Sequence, residues 1–262
     1  MSDGPLKSWL EADGRVLRLQ LARPKANIID ASMIDALSAA LDGYIAEPRL
    51  MAAVLDAEGP NFSFGASVEE HLPEQCAGML DKLNALLTLM IEYPVPIVAA
   101  INGHCLGGGL EVACAASRII AARNASLGQP EISLAVFAPA ASCFLPERIG
   151  QSQAEMLLLS GNSVDAKTAL QIGLIDEISD DPTEAALTWI DANLIGKSAS
   201  SLRIAVAAAR HDYVARIKEK LATVTAMYLD DLMKTSDALE GLTAFLEKRK
   251  PVWENNSKGA DQ

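Results

Sequence analysis

Asn102-Gly103-His104-Cys105-Leu106-Gly107-Gly108-Gly109-Leu110-Glu111 reads as a tight turn feeding the start of a helix. Three successive glycines leave the backbone bare, so another molecule can approach its N–H groups closely. The apolar run Ile97-Val98-Ala99-Ala100-Ile101 precedes it, kept out of helix by Pro94-Val95-Pro96, and predicts a strand. A helix near Leu110 to Ala116 and a strand from Arg118 to Ala122 are expected next. Strand–helix alternation of this kind predicts an α/β fold with βαβ-like crossovers.

Toward the N-terminus, Val16 to Leu21 alternates as a strand. Ile34, Leu37, Leu41 and Ile45 share a helical face that Asp30 or Ser32 would cap and Pro48 would end. Met51 to Leu55 predicts a short buried strand, Asn61 to Ser67 a small-residue loop, and about Met79 to Ile91 a helix. Beyond the glycine turn, short helices are expected over Ala154 to Leu159, Ala166 to Ile172 and Thr183 to Leu194. Leu202, Val206 and Ala209 mark one further helical face; Ile217, Leu221, Val224 and Tyr228 mark another. A last helix is expected from Asp237, with Glu240 completing a capping box. A C-terminal piece this apolar needs a partner surface, its own core or another subunit. The tail from Glu254 to Gln262 is expected to fray.

The 262 residues carry 34 acids against 22 bases, a net charge of −12, which repels a phosphate backbone and argues against a nucleic-acid partner. One basic cluster, Lys248-Arg249-Lys250, reads either as an anion contact or as favourable charge in the last turn of a helix. Cys76, Cys105, Cys114 and Cys143 show no C-x-x-C and no metal-ligand spacing, so no metal is expected and the thiols are read as buried and reduced. Met1 to Lys7 has neither the basic nor the apolar region of a secretory leader. The apolar run Ala85 to Ile91 stops at Glu92, too short to span a bilayer. A cytoplasmic protein without a membrane partner is expected.

The loops carry the chemistry. Gly108, in a turn at a helix N-terminus, presents an unsatisfied N–H at the positive end of the dipole, and Ala66 in Phe64-Gly65-Ala66 could supply a second. Two convergent donors would form an oxyanion hole for a thioester or ester carbonyl; the same glycines also suit a tight packing turn or a phosphate cradle. Neither G-x-x-x-x-G-K-[ST], G-x-G-x-x-G nor G-x-S-x-G is present. His71 and His104 stand beside no nucleophile and read as hydrogen-bonded loop residues. Glu111 ends the glycine run, and Glu131 ends a second run, Gly128-Gln129-Pro130-Glu131, in which Pro130 stiffens the loop. Glu111 alone reads as helix-dipole complementarity. If both enter one apolar cleft, burial and like charge leave one ionised and one protonated near neutral pH, a pair suited to adding water.

These residues resemble the crotonase (enoyl-CoA hydratase/isomerase) superfamily over nearly the whole chain. The matching stretches are Arg23 to Ala26, Phe62 to Glu70, Ile101 to Glu111, Gly128 to Ile132, Ser163 to Val164 with Ala169 to Ile175, and Glu240 to Lys250. The resemblance implies a spiral of ββα turns over residues 1–195, bearing the CoA-binding and catalytic loops. It implies a helical oligomerisation region over 196–262, with homotrimer or hexamer (dimer of trimers) assembly. It implies that Ala66 and Gly108 form the oxyanion hole for an acyl-CoA thioester and that Glu111 and Glu131 are the catalytic pair. Substrate or CoA contacts are carried to Lys25, Ala26, Ser63, Phe64, Ala66, Ser67 and Val68, and to Lys248, which would reach the CoA phosphates of a neighbouring subunit. No cofactor is implied, because coenzyme A belongs to the substrate.

Two departures stand out. The loop Lys25 to Asp30 shifts the family's usual asparagine by one position. Ala135-Val136-Phe137-Ala138-Pro139-Ala140-Ala141-Ser142 replaces a small glycine-rich stretch, which makes Ala135, Phe137 and Pro139 an altered wall of the acyl pocket. That wall, with Phe64 to Pro73, looks most like the cyclohexa-1,5-diene-1-carbonyl-CoA hydratases of anaerobic benzoyl-CoA degradation. A general enoyl-CoA or cyclohex-1-ene-1-carbonyl-CoA hydratase is the same-class alternative, and a non-catalytic acyl-CoA-binding homologue the alternative of another class.

Overall fold

Apolar runs that do not alternate need cover on both faces, and the main sheet has it. The computed structural model describes residues 4–255. Strands β1 (Leu6–Glu11), β2 (Val16–Leu21), β3 (Ala52–Ala57), β4 (Ile97–Ile101), β6 (Arg118–Ala122) and β9 (Glu177–Ser179) form one sheet in that order. The β1–β2 pair is antiparallel and the rest are parallel. Leu17, Leu19, Leu55, Ile97, Ala99 and Ile119 face the main core, together with α1 (Ala31–Tyr44) and α2 (Pro73–Glu92). Their neighbours in the chain, Val16, Val54, Val98 and Ile120, face the other way onto Ala186 and Ile190 of α7 (Pro182–Ile190). This period of two explains why each strand reads as nearly unbroken hydrophobe. Arg18, buried within β2, is paired with Asp56 and Glu11 and lies over the Trp9 ring.

A second sheet of three short strands, β5 (His104–Leu106), β7 (Ser126–Gly128) and β8 (Ser163–Asp165), carries the loops of interest. Each of its first two strands follows one of the main sheet and precedes a helix. β4 leads to β5 and α3 (Gly108–Cys114); β6 leads to β7 and, after a 3-10 turn (Pro130–Leu134), to α4 (Pro139–Ile149). These are the ββα turns expected from the resemblance. Helices α5 (Gln151–Ser160) and α6 (Ala166–Gln171) complete this part, and α8 (Ala199–Ala226) packs across α2 and α4. All four cysteines are free and buried. Among the described residues no helix is long and apolar enough to cross a membrane.

Several expectations change. Helix α2 begins at Pro73 rather than Met79, because Pro73 occupies its first position, where a missing N–H costs nothing. Of the two candidate caps for α1, Asp30 acts: its side chain accepts from Met33 N at 2.9 Å. The last helix, α9 (Ser236–Leu246), is capped by Thr235, whose hydroxyl accepts from Ala238 N at 3.2 Å, so Asp237 and Glu240 are not its capping box. Asp237 instead accepts from Glu254 N and Asn255 N, and Glu240 pairs with Arg249, fastening the chain after α9 back onto it. Of the tail expected to fray, residues 256–262 lie outside the described residues. β1 and α4 were not expected at all.

Candidate active site

Parallel pairing of β5 with β7 brings the two glutamate-bearing runs together. Leu106 pairs with Gly128, and Gly107 N donates to Gly128 O at 3.0 Å, so both strands end at the same edge. Five residues past Leu106 stands Glu111, in the first turn of α3; three past Gly128 stands Glu131, on the 3-10 turn. The Ala66 loop joins from the other side of β5: Ser63 N donates to His104 O and Leu106 N to Ser63 O, both at 3.0 Å. Ile29 N in turn donates to Gly65 O at 2.9 Å, which fixes the outer edge of that loop.

The result is a cavity of about 380 Å³. Of the residues singled out from the sequence, Phe64, Ala66, Val68, Gly108, Glu111, Glu131, Phe137 and Pro139 line it. Ala66 and Gly108 are close neighbours, a β-carbon on Gly108 falling 3.1 Å from Ala66 N. Gly108 opens α3, so its N–H has no partner within the helix. Among the described residues no main-chain carbonyl takes the Ala66 N–H. Gly107 must be glycine twice over: its φ is +49°, and a β-carbon there would stand 2.5 Å from Glu131 Oε1.

Glu111 is buried, and its Oε1 accepts from Ala141 N at 2.9 Å. Helix α4 has no side-chain cap of its own, so the Glu111 carboxylate takes that place at its N-terminus. Gln129, buried beside the half-buried Glu131, sets one end of its side-chain amide 3.0 and 3.1 Å from the two Glu131 oxygens, and with the amide nitrogen assigned to that end it donates to both. Burial pushes both carboxyls above the usual carboxylate range. The N–H groups of Ala141 and Ala140 oppose that rise at Glu111, whereas the charge of Glu111 adds to it at Glu131. The two therefore titrate as one coupled pair, and the N–H donors favour the ionised form at Glu111.

The other singled-out residues lie outside the cavity lining. Ser63 is buried, and its hydroxyl accepts from Gly65 N at 3.1 Å. Ala26 O accepts from Phe64 N at 2.9 Å, which sets the Lys25–Ala26 loop beside the Ala66 loop, with Lys25 exposed. The Ser67 carbonyl lies 2.7 Å from His71 Nδ1. Ala135, at φ +55°, makes the turn that sends Val136 and Phe137 inward. Lys248 is exposed just past α9. The cavity also takes His71, read from the sequence only as a loop residue, Val136 of the altered wall stretch, and Leu80, Leu83, Leu242 and Phe245, which the sequence did not place there. Leu80 and Leu83 look like any buried helix face, and Leu242 and Phe245 come from the region read as oligomerisation helices.

A profile of the enoyl-CoA hydratase/isomerase family matches residues 11–256. The chain belongs to the enoyl-CoA hydratase/isomerase family. It is 59% identical over 254 residues to the cyclohexa-1,5-dienecarbonyl-CoA hydratase of Thauera aromatica, covering 97% of this chain and 98% of that protein. A Bacillus subtilis protein described as a probable enoyl-CoA hydratase is 32% identical, with 92% and 96% covered. The crystal structure of an enoyl-CoA hydratase from Mycobacterium avium superposes with a TM-score of 0.84 at 25% identity, covering 95% of this chain and 99% of that one. The crotonase fold expected from the resemblance is thus present.

The raised carboxyls of this family member have a consequence for stability. Each pKa lies higher in the folded protein than in the unfolded chain, so the folded state binds more protons between the two values. Stability falls as pH rises from the ordinary glutamate range through the folded-state pKa. Glu131→Gln cannot ionise and is expected to melt above the native protein at pH 9, by about 2–4 °C per kcal/mol of relieved charge burial. At pH 5 the two should melt together. Thermal unfolding at both pH values checks this; a lower melting temperature for the variant at pH 9 would contradict it.

Proposed function

We propose that this chain hydrates cyclohexa-1,5-diene-1-carbonyl-CoA to 6-hydroxycyclohex-1-ene-1-carbonyl-CoA, a step of anaerobic benzoyl-CoA degradation. The observation that carries water addition is the pair of carboxyls in one cavity, Glu111 buried and held by N–H groups, Glu131 half-buried and raised by desolvation and then by the Glu111 charge. The ring substrate is supported by the 59% identity to the Thauera aromatica hydratase and by the Val136 to Pro139 wall.

The thioester oxygen takes hydrogen bonds from Ala66 N–H and Gly108 N–H. Glu111, ionised, accepts a proton from water as its oxygen bonds to ring carbon 2, β to the carbonyl. The electron pair of the C1=C2 bond moves into a dienolate that extends to carbon 5, its negative oxygen held by the two N–H groups. As the carbonyl re-forms, the C1=C6 bond forms and the C5=C6 pair takes the proton of Glu131 at carbon 5. Numbering from the surviving double bond, the hydroxylated carbon becomes carbon 6. Proton exchange from Glu111 to Glu131 restores the starting state. No cofactor takes part in this sequence.

The reading extends to a cytoplasmic homotrimer or dimer of trimers, with 196–262 as the oligomerisation region and Lys248 reaching CoA on a neighbour. Exposed Ile204, Met227, Leu239 and Val252 support an interface in that region. The deciding assay compares purified protein on the ring dienoyl-CoA and on crotonyl-CoA. Faster turnover of the ring is expected; faster turnover of crotonyl-CoA would replace this reading with a general enoyl-CoA hydratase.

A further inference from the structure

Helix α9 carries a glycine, Gly241, at its centre. Glycine weakens a helix interior relative to alanine, so the position needs a reason. Gly241 has no positive φ, and its conformation does not supply that reason. Space does. A β-carbon at Gly241 would stand 2.1 Å from the Leu134 carbonyl oxygen and 2.6 Å from the carbonyl carbon, with the Trp253 ring 3.2 Å away. Backbone therefore lies directly on backbone. Among the described residues no N–H takes the Leu134 carbonyl, and the Gly241 Cα–H is the group set against it.

Leu134 ends the 3-10 turn Pro130–Leu134, three residues and so one turn beyond Glu131. A second glycine touches the same turn. Gly161, which ends α5, would bring a β-carbon to 3.0 Å from both Ile132 Cγ2 and Ser133 Oγ. Helix α9 is itself fastened by the chain that follows it. Asp237 accepts from Glu254 N at 2.7 Å and Asn255 N at 2.9 Å, and Glu240 accepts from Val252 N at 2.8 Å. These bonds return Trp253 to Gly241. The residues after Gly241 on α9 reach the chemistry as well, since Leu242 and Phe245 line the acyl cavity beside Glu131.

We propose that Gly241 is a positioning residue for Glu131: the bare backbone of α9, backed by Trp253, sets the Pro130–Leu134 turn and with it the aim of the carboxyl into the acyl cavity. This rests on the hydratase reading above. Once the turn is set, Glu131 has little freedom, because its Oε1 lies 2.5 Å from the place of a Gly107 β-carbon and Gln129 meets both of its oxygens. A β-carbon does not come within 3.0 Å of backbone, so a methyl group at Gly241 forces α9 and the turn apart. A displacement of about 1 Å at a reacting group can cost about 10²-fold in rate.

The test is a double-mutant cycle on kcat. Gly241→Ala alone is expected to lower kcat on the ring dienoyl-CoA about 10²-fold. In Glu131→Gln, which has no acidic proton left to aim, the same substitution should cost no more than about threefold. In Gly108→Ala, altered at the oxyanion hole instead, it should again cost about 10²-fold. A lesion of packing alone would act in both backgrounds. Melting temperature shows which variants are folded. Should Gly241→Ala not fold, Trp253→Ala, at an exposed position, removes the backing and takes its place in the cycle. Its expected loss is about fivefold in the native background and none in Glu131→Gln. Native kcat in the variant that carries the cycle, or a loss that persists in full in Glu131→Gln, overturns the positioning role. A native enzyme that hydrates neither the ring dienoyl-CoA nor crotonyl-CoA overturns the hydratase reading instead. One that prefers crotonyl-CoA changes the substrate, and the cycle is read on that thioester.

Discussion

Glu131→Gln is expected to lower kcat on the ring dienoyl-CoA by about 10²- to 10⁴-fold while thioester affinity stays within about threefold of native. The amide matches the carboxyl in size and can still meet Gln129, but it holds no acidic proton for the dienolate. Glu111→Gln should fall as far for the complementary reason. Its amide oxygen can still accept from Ala141 N, yet an amide cannot take a proton from water. Because the two act on one addition, the double variant should be little slower than either single one. Stopped-flow hydration and calorimetric binding give the two quantities separately. Near-native kcat in either single variant would remove that residue from the mechanism, and near-native kcat in both would leave the acyl-CoA-binding homologue as the better reading.

The chemistry-bearing loops were legible in the chain because each announces itself locally. Gly107 to Gly109 and Pro130 punctuate the sequence, and a glutamate follows each. What joins them was not legible. β5 and β7 are three residues long, too short for a period to show. Their register sets Leu106 against Gly128 and so Glu111 near Glu131. Helix α4 is hard to see in the chain because Pro139 and Pro146 both fall within it, although Pro139 starts the helix. Yet α4 is what gives Glu111 its N–H donors. β1 was missed because Leu6 to Glu11 pairs at the sheet edge with only Leu6 fully buried. At α9, a three-residue spacing of Asp237 and Glu240 imitated a capping box, while the acting cap, Thr235, lies two residues earlier. Tertiary contacts decide these cases, and His71 shows the same limit. Its hydrogen bond to the Ser67 carbonyl suits the expected loop residue, but only packing against Tyr228 and Phe137 places it on the acyl cavity.

Gly108→Pro should cut kcat/KM by at least about 10²- to 10³-fold, the usual effect of losing one oxyanion-hole donor. Gly108 is the first residue of α3, a position where proline is tolerated because that N–H makes no intrahelical bond. The substitution therefore deletes the proposed oxyanion donor while leaving the helix its own hydrogen bonds. Space is the second consideration. A β-carbon at this site meets Ala66 Cβ at 3.0 Å and Ala66 N at 3.1 Å, so the Ala66 loop must give by a few tenths of an ångström. Gly108→Ala supplies the control, since it adds the same β-carbon and keeps the N–H. If the hole acts through hydrogen bonding, Gly108→Ala should lose less activity than Gly108→Pro, and the difference should appear in kcat rather than in thioester affinity. Circular dichroism and melting temperature establish that both variants are folded. Equal losses in the two would assign the effect to crowding at Ala66 and remove the Gly108 N–H from the oxyanion hole.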